Sequence, residues 1–192
     1  MGERTFGSIQ RQTPSDPLES IVSLLRPQTV LSKIVTGNGQ WSIRKPRFAH
    51  PSFCLILDGT CWLAPDGAAP QSMHKGDFLL LAETPGFVLA SDPGIDPAAT
   101  AIDHSRDSHY GCRAGPATMR MLGGYFRFDR DNAQLIARLL PPTVLIRHGE
   151  SGAHRLGRIV ELITEEADAD HRCRNLILQR LVEVLLIEAW RF

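Results

Sequence analysis

The sequence predicts a mainly β protein, a small antiparallel barrel followed by a C-terminal α-helical hairpin, and two patterns carry that prediction. Between Phe53 and Leu89 short apolar runs are broken at close, even spacing by Gly, Asp and Pro, the patterning of a small barrel with a pocket inside it. Past residue 150 the period becomes helical. Leu156, Ile159, Val160 and Ile163 form one stripe, and after Ala169-Asp170-His171 a second runs through Leu176, Ile177, Leu181, Val184, Leu185 and Ala189.

Taken in order, residues 1–15 are polar with Gly and Pro and read as a flexible N-terminal arm. Asp16-Pro17 fits a helix N-cap and first turn; Leu18, Ile21, Val22 and Leu25 share a face, and Pro27 ends the segment. Strands are expected over Val30 to Val35, Trp41 to Arg44, Phe53 to Leu57, Thr60 to Leu63, Phe78 to Leu81 and Phe87 to Leu89. Asp58-Gly59 between two of these runs predicts a tight hairpin, because a primed turn needs positive φ and glycine supplies it. Residues 90–117, rich in Asp, Pro, Gly, Ser and His, read as a long surface loop. Met119 to Phe128 and Val144 to Ile146 return to strand character, while residues 130–140 carry Leu135, Ile136, Leu139 and Leu140 at helical spacing. The units are thus an arm over 1–15, a barrel over 16–150 and a helical hairpin over 151–192. The last helix is apolar on more than one side, so either the other helices or a partner subunit must cover it.

At 192 residues the chain supports one good core with a small helical appendage. Lys plus Arg and Asp plus Glu are equal at 21 each, so no overall basic charge advertises a nucleic-acid or phospholipid surface. The four cysteines, Cys54, Cys61, Cys112 and Cys173, form no Cys-x-x-Cys pair and no disulfide framework. With no secretory signal pattern and no membrane-length apolar run, a soluble cytoplasmic protein is expected.

Motifs for catalysis are missing: there is no Gly-x-Ser-x-Gly, no Walker-type loop, no His-Glu-x-x-His and no dinucleotide Gly-x-Gly-x-x-Gly between strand and helix. Glu165-Glu166 are sequence neighbours on a helix and point about 100° apart, which suits a solvated face. His104, His109 and Cys112 fall close together. They are either surface residues or, if the loop folds back, ligands for zinc or copper. Strand aromatics give the stronger lead: Trp41, Phe53, Trp62, Phe87 and Tyr125, together with Cys54, are either plain core filling or the candidate lining of a pocket for a small, largely apolar ligand. Cys54 and Cys61 flank the expected hairpin, either as a redox-responsive pair or as inert buried thiols.

The order Asp16-Pro17-Leu18, Leu24-Leu25-Arg26-Pro27, Leu57-Asp58-Gly59-Thr60-Cys61-Trp62-Leu63, Gly76-Asp77-Phe78-Leu79-Leu80-Leu81, Val88-Leu89-Ala90-Ser91-Asp92-Pro93 and Gly124-Tyr125-Phe126-Arg127-Phe128-Asp129 resembles the cupin-type N-terminal domain of AraC-family transcription regulators. The resemblance runs from about Asp16 to Phe192. It implies a cupin barrel (double-stranded β-helix, or jelly roll) that senses a small-molecule effector, and C-terminal helices that form a homodimer. DNA would be read only by a C-terminal helix-turn-helix domain absent from this chain. Positions where many such cupins place metal ligands are occupied here by Cys54, Phe87 and Gly123, so no metal or other cofactor and no catalytic residue is expected. The alternative is a free-standing metal-dependent cupin enzyme that draws ligands from Cys54, His104, His109 and Cys112.

Overall fold

A computed structural model describes residues 29–48, 50–99, 107–127, 141–150, 154–169 and 171–191. The expected arm over 1–15, the helix from Asp16 and the helical spacing over 130–140 lie outside them, as does His104. Among the described residues the chain forms β1 (Thr29–Asn38), β2 (Ser42–Lys45), β3 (Ser52–Pro65), β4 (Gln71–His74), β5 (Phe78–Leu81), β6 (Phe87–Ala90), β7 (Ala98–Ala99), β8 (Ser108–Gly111), β9 (Met119–Arg127) and β10 (Thr143–Ile146). Two helices follow, α1 (His154–Asp168) and α2 (Arg174–Arg191).

Pairing builds two sheets that share β3. The first runs β10-β5-β3-β9-β1-β8 and the second β7-β2-β6-β3-β4. All neighbours are antiparallel except β1 with β8 and β2 with β7.

The predicted hairpin at Asp58-Gly59 does not form. β3 continues through both residues, its first half paired with β5 and β9 and its second half with β4 and β6. Its register against β9 shifts between Ile56 and Asp58, leaving Leu57 as an extra residue, and Gly59 takes a left-handed φ of 73°. The positive φ that a hairpin would use here bends one strand out of the first sheet and into the second. Chain reversals come later, at Gly67 and Gly76, with φ of 80° and 85°.

That bulge also sets which side chains point inward. Before it Cys54 and Ile56 face the interior between the sheets, and after it Cys61 and Leu63 do, because one extra residue reverses a period of two. Interior partners are Val35 of β1, Ile43 of β2, Leu79 and Leu81 of β5, Leu89 of β6 and Met119 and Met121 of β9.

The alternate residues of the first sheet make a second apolar layer. Leu55, Phe78, Leu80, Leu122 and Phe126 pack with Leu156, Val160 and Ile163 of α1 and Val182, Leu185 and Leu186 of α2. The order of layers is second sheet, first sheet, helix pair. On α2 the apolar excess is only partly covered: Leu178, Val182 and Leu185 are buried, whereas Leu176, Ile177 and Val184 are exposed, as is Leu162 of α1.

Candidate functional site

A cavity of about 120 Å³ lies between the two sheets. Its walls are the inward residues of both, with Leu79, Leu81, Leu89 and Met121 typical of the lining. A separate cleft of about 520 Å³ between the Gly76 turn and α1 has Ile56, Leu57 and Val160 in its wall together with the exposed Lys75, Glu161 and Glu165. The cavity between the sheets is the better candidate ligand site, since a largely apolar wall with a few polar groups is what holds small molecules.

Phe53, Cys54, Phe87 and Tyr125, expected as pocket residues, line this cavity; Trp41 and Trp62 do not. Trp62 stands on the other side of β3, because the bulge at Leu57 puts Cys61 and Leu63 inward in its place. Trp41 is buried in the same apolar cluster without lining the cavity: its indole lies against Gly37 and its ring centroid is 5.7 Å from that of Tyr110, which does line the cavity. Any β-carbon at Gly37 would collide with that indole.

At one end of the lining stand Phe48 and Tyr125, ring centroids 4.8 Å apart and edge to face. His50 stacks on Tyr125 at 5.9 Å. Burial, helped by nearby Arg127, holds its imidazole pKa below the ordinary value, so the ring is neutral near pH 7. The segment is clamped by Thr84, whose hydroxyl donates to the His50 carbonyl (2.6 Å) and sits 2.7 Å from the Ser52 hydroxyl.

Lys33, Lys45, Phe48 and Tyr110 also line the cavity and were not among the sequence candidates. A signal for the lysines exists: each is two residues from an inward apolar side chain on its own strand, Lys33 from Val35 and Lys45 from Ile43.

Among the described residues, the candidates His109, Cys112 and Cys54 do not converge. His109 lies 2.8 Å from the Thr36 hydroxyl through Nδ1 and 2.8 Å from the Cys112 carbonyl through Nε2, so both ring nitrogens are engaged by hydrogen-bonding groups. Cys112 is exposed and Cys54 buried. At the positions where many cupins hold a metal, Cys54 pairs directly with Gly123 across β3 and β9, and with Phe87 both line the cavity. Two of these three residues have no ligating atom on the side chain, and burial pushes the Cys54 thiol, the third, well above its ordinary pKa. The donor set does not fit a divalent metal.

Comparison with known proteins places this architecture. The profile of the cupin family matches residues 16–191. The chain belongs to the cupin family. It is 28% identical over 178 residues to a protein of Streptomyces lividans described as an AraC-like transcription regulator, a match covering 92% of this chain and 59% of the relative. A Streptomyces antibioticus protein of the same description matches with the same identity and coverage. This cupin thus spans about three-fifths of the length of the curated relatives it matches. Among solved structures it is similar to apo ToxT of Vibrio cholerae, at 10% identity and TM-score 0.41, over 82% of this chain and 52% of that one.

Proposed function

We propose that this cupin is the effector-sensing and dimerisation domain of an AraC-type transcription regulator, working in the cytoplasm by binding and not by catalysis. The observation that carries the reading is the double use of the first sheet. Cys54, Leu79 and Met121 point to the cavity, while their chain neighbours Leu55, Leu80 and Leu122 lie under the helices. A ligand that fits one arrangement of these strands better than another biases the helix pair by its difference in affinity, and by no more than that. The exposed row on the helices supports a second copy of this chain as their partner. The neutral charge supports DNA contact through residues outside this chain.

Gly123→Leu tests the reading. Gly123 lines the cavity, and a β-carbon there meets only the Met121 methyl, at 3.2 Å, so leucine fills the space without blocking the ladder. Small apolar molecules that raise the thermal midpoint of the wild-type chain are expected to leave that of Gly123→Leu unchanged. Conversion of such a molecule to a product by the purified chain would favour the metal-dependent enzyme instead.

A further inference from the structure

We propose that the cavity selects a neutral, largely apolar molecule that donates one hydrogen bond, from an N–H or an O–H, to Ser52 Oγ. The inference rests on the cavity being the effector site and adds the polarity of the effector.

Three oxygens in a row set that polarity. Thr84, which is 2% exposed, places Oγ1 2.6 Å from the His50 carbonyl oxygen and 2.7 Å from Ser52 Oγ. A carbonyl only accepts, and a threonine hydroxyl has one proton to give. That proton goes to His50, so the contact between the two hydroxyls is made only when Ser52 donates to Thr84. The Ser52 proton is then spent. Its oxygen has only lone pairs left to offer, and among the described residues Thr84 is its one hydrogen-bond partner.

Ser52 turns this acceptor to the cavity. It lines the space and stands two residues before Cys54, in the inward phase of β3. Across the ladder Ser52 pairs with Tyr125 and Cys54 with Gly123. Gly123 leaves a gap in that wall, approached by the Met121 methyl. The acceptor therefore borders the space above Gly123, at the end of the lining where the Phe48 and Tyr125 rings meet.

A ligand that displaces water from this end and brings no donor loses a hydrogen bond without replacing it. A carboxylate at Ser52 would set lone pairs against lone pairs, and an ammonium would find no Asp or Glu anywhere in the lining. A neutral donor is the match. Size follows from volume: at roughly 10–15 Å³ of such space per water-sized occupant, about 120 Å³ accommodates about ten heavy atoms, the scale of indole.

The experiment titrates indole, benzofuran and quinoline calorimetrically into the wild-type chain and into Ser52→Ala, Thr84→Val and Gly123→Leu. All three are flat bicyclic molecules of similar size. Indole donates through its N–H, benzofuran has the same outline without a donor, and quinoline only accepts. Indole is expected to bind about fivefold more tightly than benzofuran, and Ser52→Ala to abolish the difference. Thr84→Val leaves the Ser52 proton free for the cavity, so quinoline should gain on indole in that variant. Equal binding of indole and benzofuran to the wild type overturns the proposal, as does a preference for indole that survives Ser52→Ala, whether or not Thr84→Val folds. A folded Thr84→Val in which quinoline gains nothing overturns the proton assignment. Failure of the site itself looks different. If indole and benzofuran bind equally and Gly123→Leu abolishes both, the donor rule falls and the cavity remains the effector site; indole binding that Gly123→Leu leaves unchanged removes both. Binding of none of the three overturns the proposal, while another molecule that stabilises the wild type and not Gly123→Leu keeps the site.

Discussion

Arg147 reaches across from the turn after β10 and places Nη1 2.7 Å from Asp77 Oδ2, in a carboxylate that is almost fully buried. The same oxygen accepts the His74 amide at 2.9 Å, and Oδ1 accepts the His148 amide at 2.9 Å. Arg147 also donates to the Ser72 carbonyl. Gly76 and Asp77 are bonded in turn to the backbone of Ile56, beside the bulge of β3. One side chain thus ties β4, β5, β10 and the sheet-crossing strand together.

Asp77→Asn is expected to cost about 3 kcal/mol, since it leaves the guanidinium and the amides with one charge-free acceptor, and thermal unfolding should show it as a midpoint lower by roughly 10 °C. Burial alone would raise the Asp77 pKa, but the His148 and His74 amides and the Arg147 guanidinium outweigh it and hold the carboxyl below its ordinary value. A depressed pKa contributes stability that is present above the unfolded-state value near about 4 and is lost as pH falls through the folded one. Denaturant midpoints of the wild type should therefore fall below about pH 4, and Asp77→Asn should flatten that fall.

Gly59 and Gly67 both hold left-handed φ, at 73° and 80°, but a β-carbon on Gly59 would strike the Thr118 carbonyl whereas Gly67 meets nothing within 4 Å. Gly67→Ala is expected to cost about 1 kcal/mol, the strain of an L residue in that region. Gly59→Ala adds a backbone collision at the sheet crossing, and about 3 kcal/mol is the expected scale. Equal midpoints for the two variants would mean that β3 does not depend on a close approach at Gly59.

The two glycines also mark what could be read from the chain. Phe78–Leu81 as a strand and the paired helical stripes follow from local apolar pattern, because burial on one face is written in a period of two or of 3.6. Asp58-Gly59 carries the same local chemistry for a hairpin and for a bulged crossing. The choice is made by Met119 of β9, which pairs with Gly59, and no local pattern reports that partner. Trp62, a candidate for the pocket lining, faces the other way for the same reason, one extra residue having reversed the phase. β4 escaped notice because Gln71-Ser72-Met73-His74 has one apolar side chain, Met73, and the ladder with β3 does the rest. Lys33 and Lys45 were legible as inward positions, yet charge argues for the surface until the neighbouring Val35 and Ile43 fix the phase.

Cysteine labelling should divide the four thiols evenly. Cys112 and Cys173 are exposed, and Cys54 and Cys61 are buried. Burial raises both interior thiols, Cys61 to about 12 and Cys54 further, with Cys61 and Asp77 adding to the effect at Cys54. Neither is a thiolate at neutral pH, which disfavours the redox pair and favours inert core packing. An aromatic disulfide reagent at pH 8 is expected to react with two thiols in the native chain and with four after denaturation; fast native reaction of Cys112→Ser with Cys173→Ser would show that the cavity opens to reagent.

The exposed apolar row on the helices makes the last prediction. Leu162 is 51% exposed, Ile177 41% and Val184 45%, and Ile177 and Val184 stand two turns apart on one side of α2. The ion pair from Arg155 to Glu188, at 2.9 Å, joins the flanks on which these residues lie, so Leu162, Ile177 and Val184 form a ridge along the seam between α1 and α2. A ridge of this kind on a two-fold axis meets its own copy, and each apolar residue then counts twice. Ile177→Glu with Val184→Glu places four carboxylates at that contact while changing side chains that contribute little to the core. Sedimentation velocity at micromolar concentration is expected to show a wild-type dimer and a monomeric double variant, with thermal midpoints differing only by the loss of subunit association. A wild-type chain that stays monomeric across the concentration range would remove the second copy as the cover of this ridge and leave the cavity proposal standing.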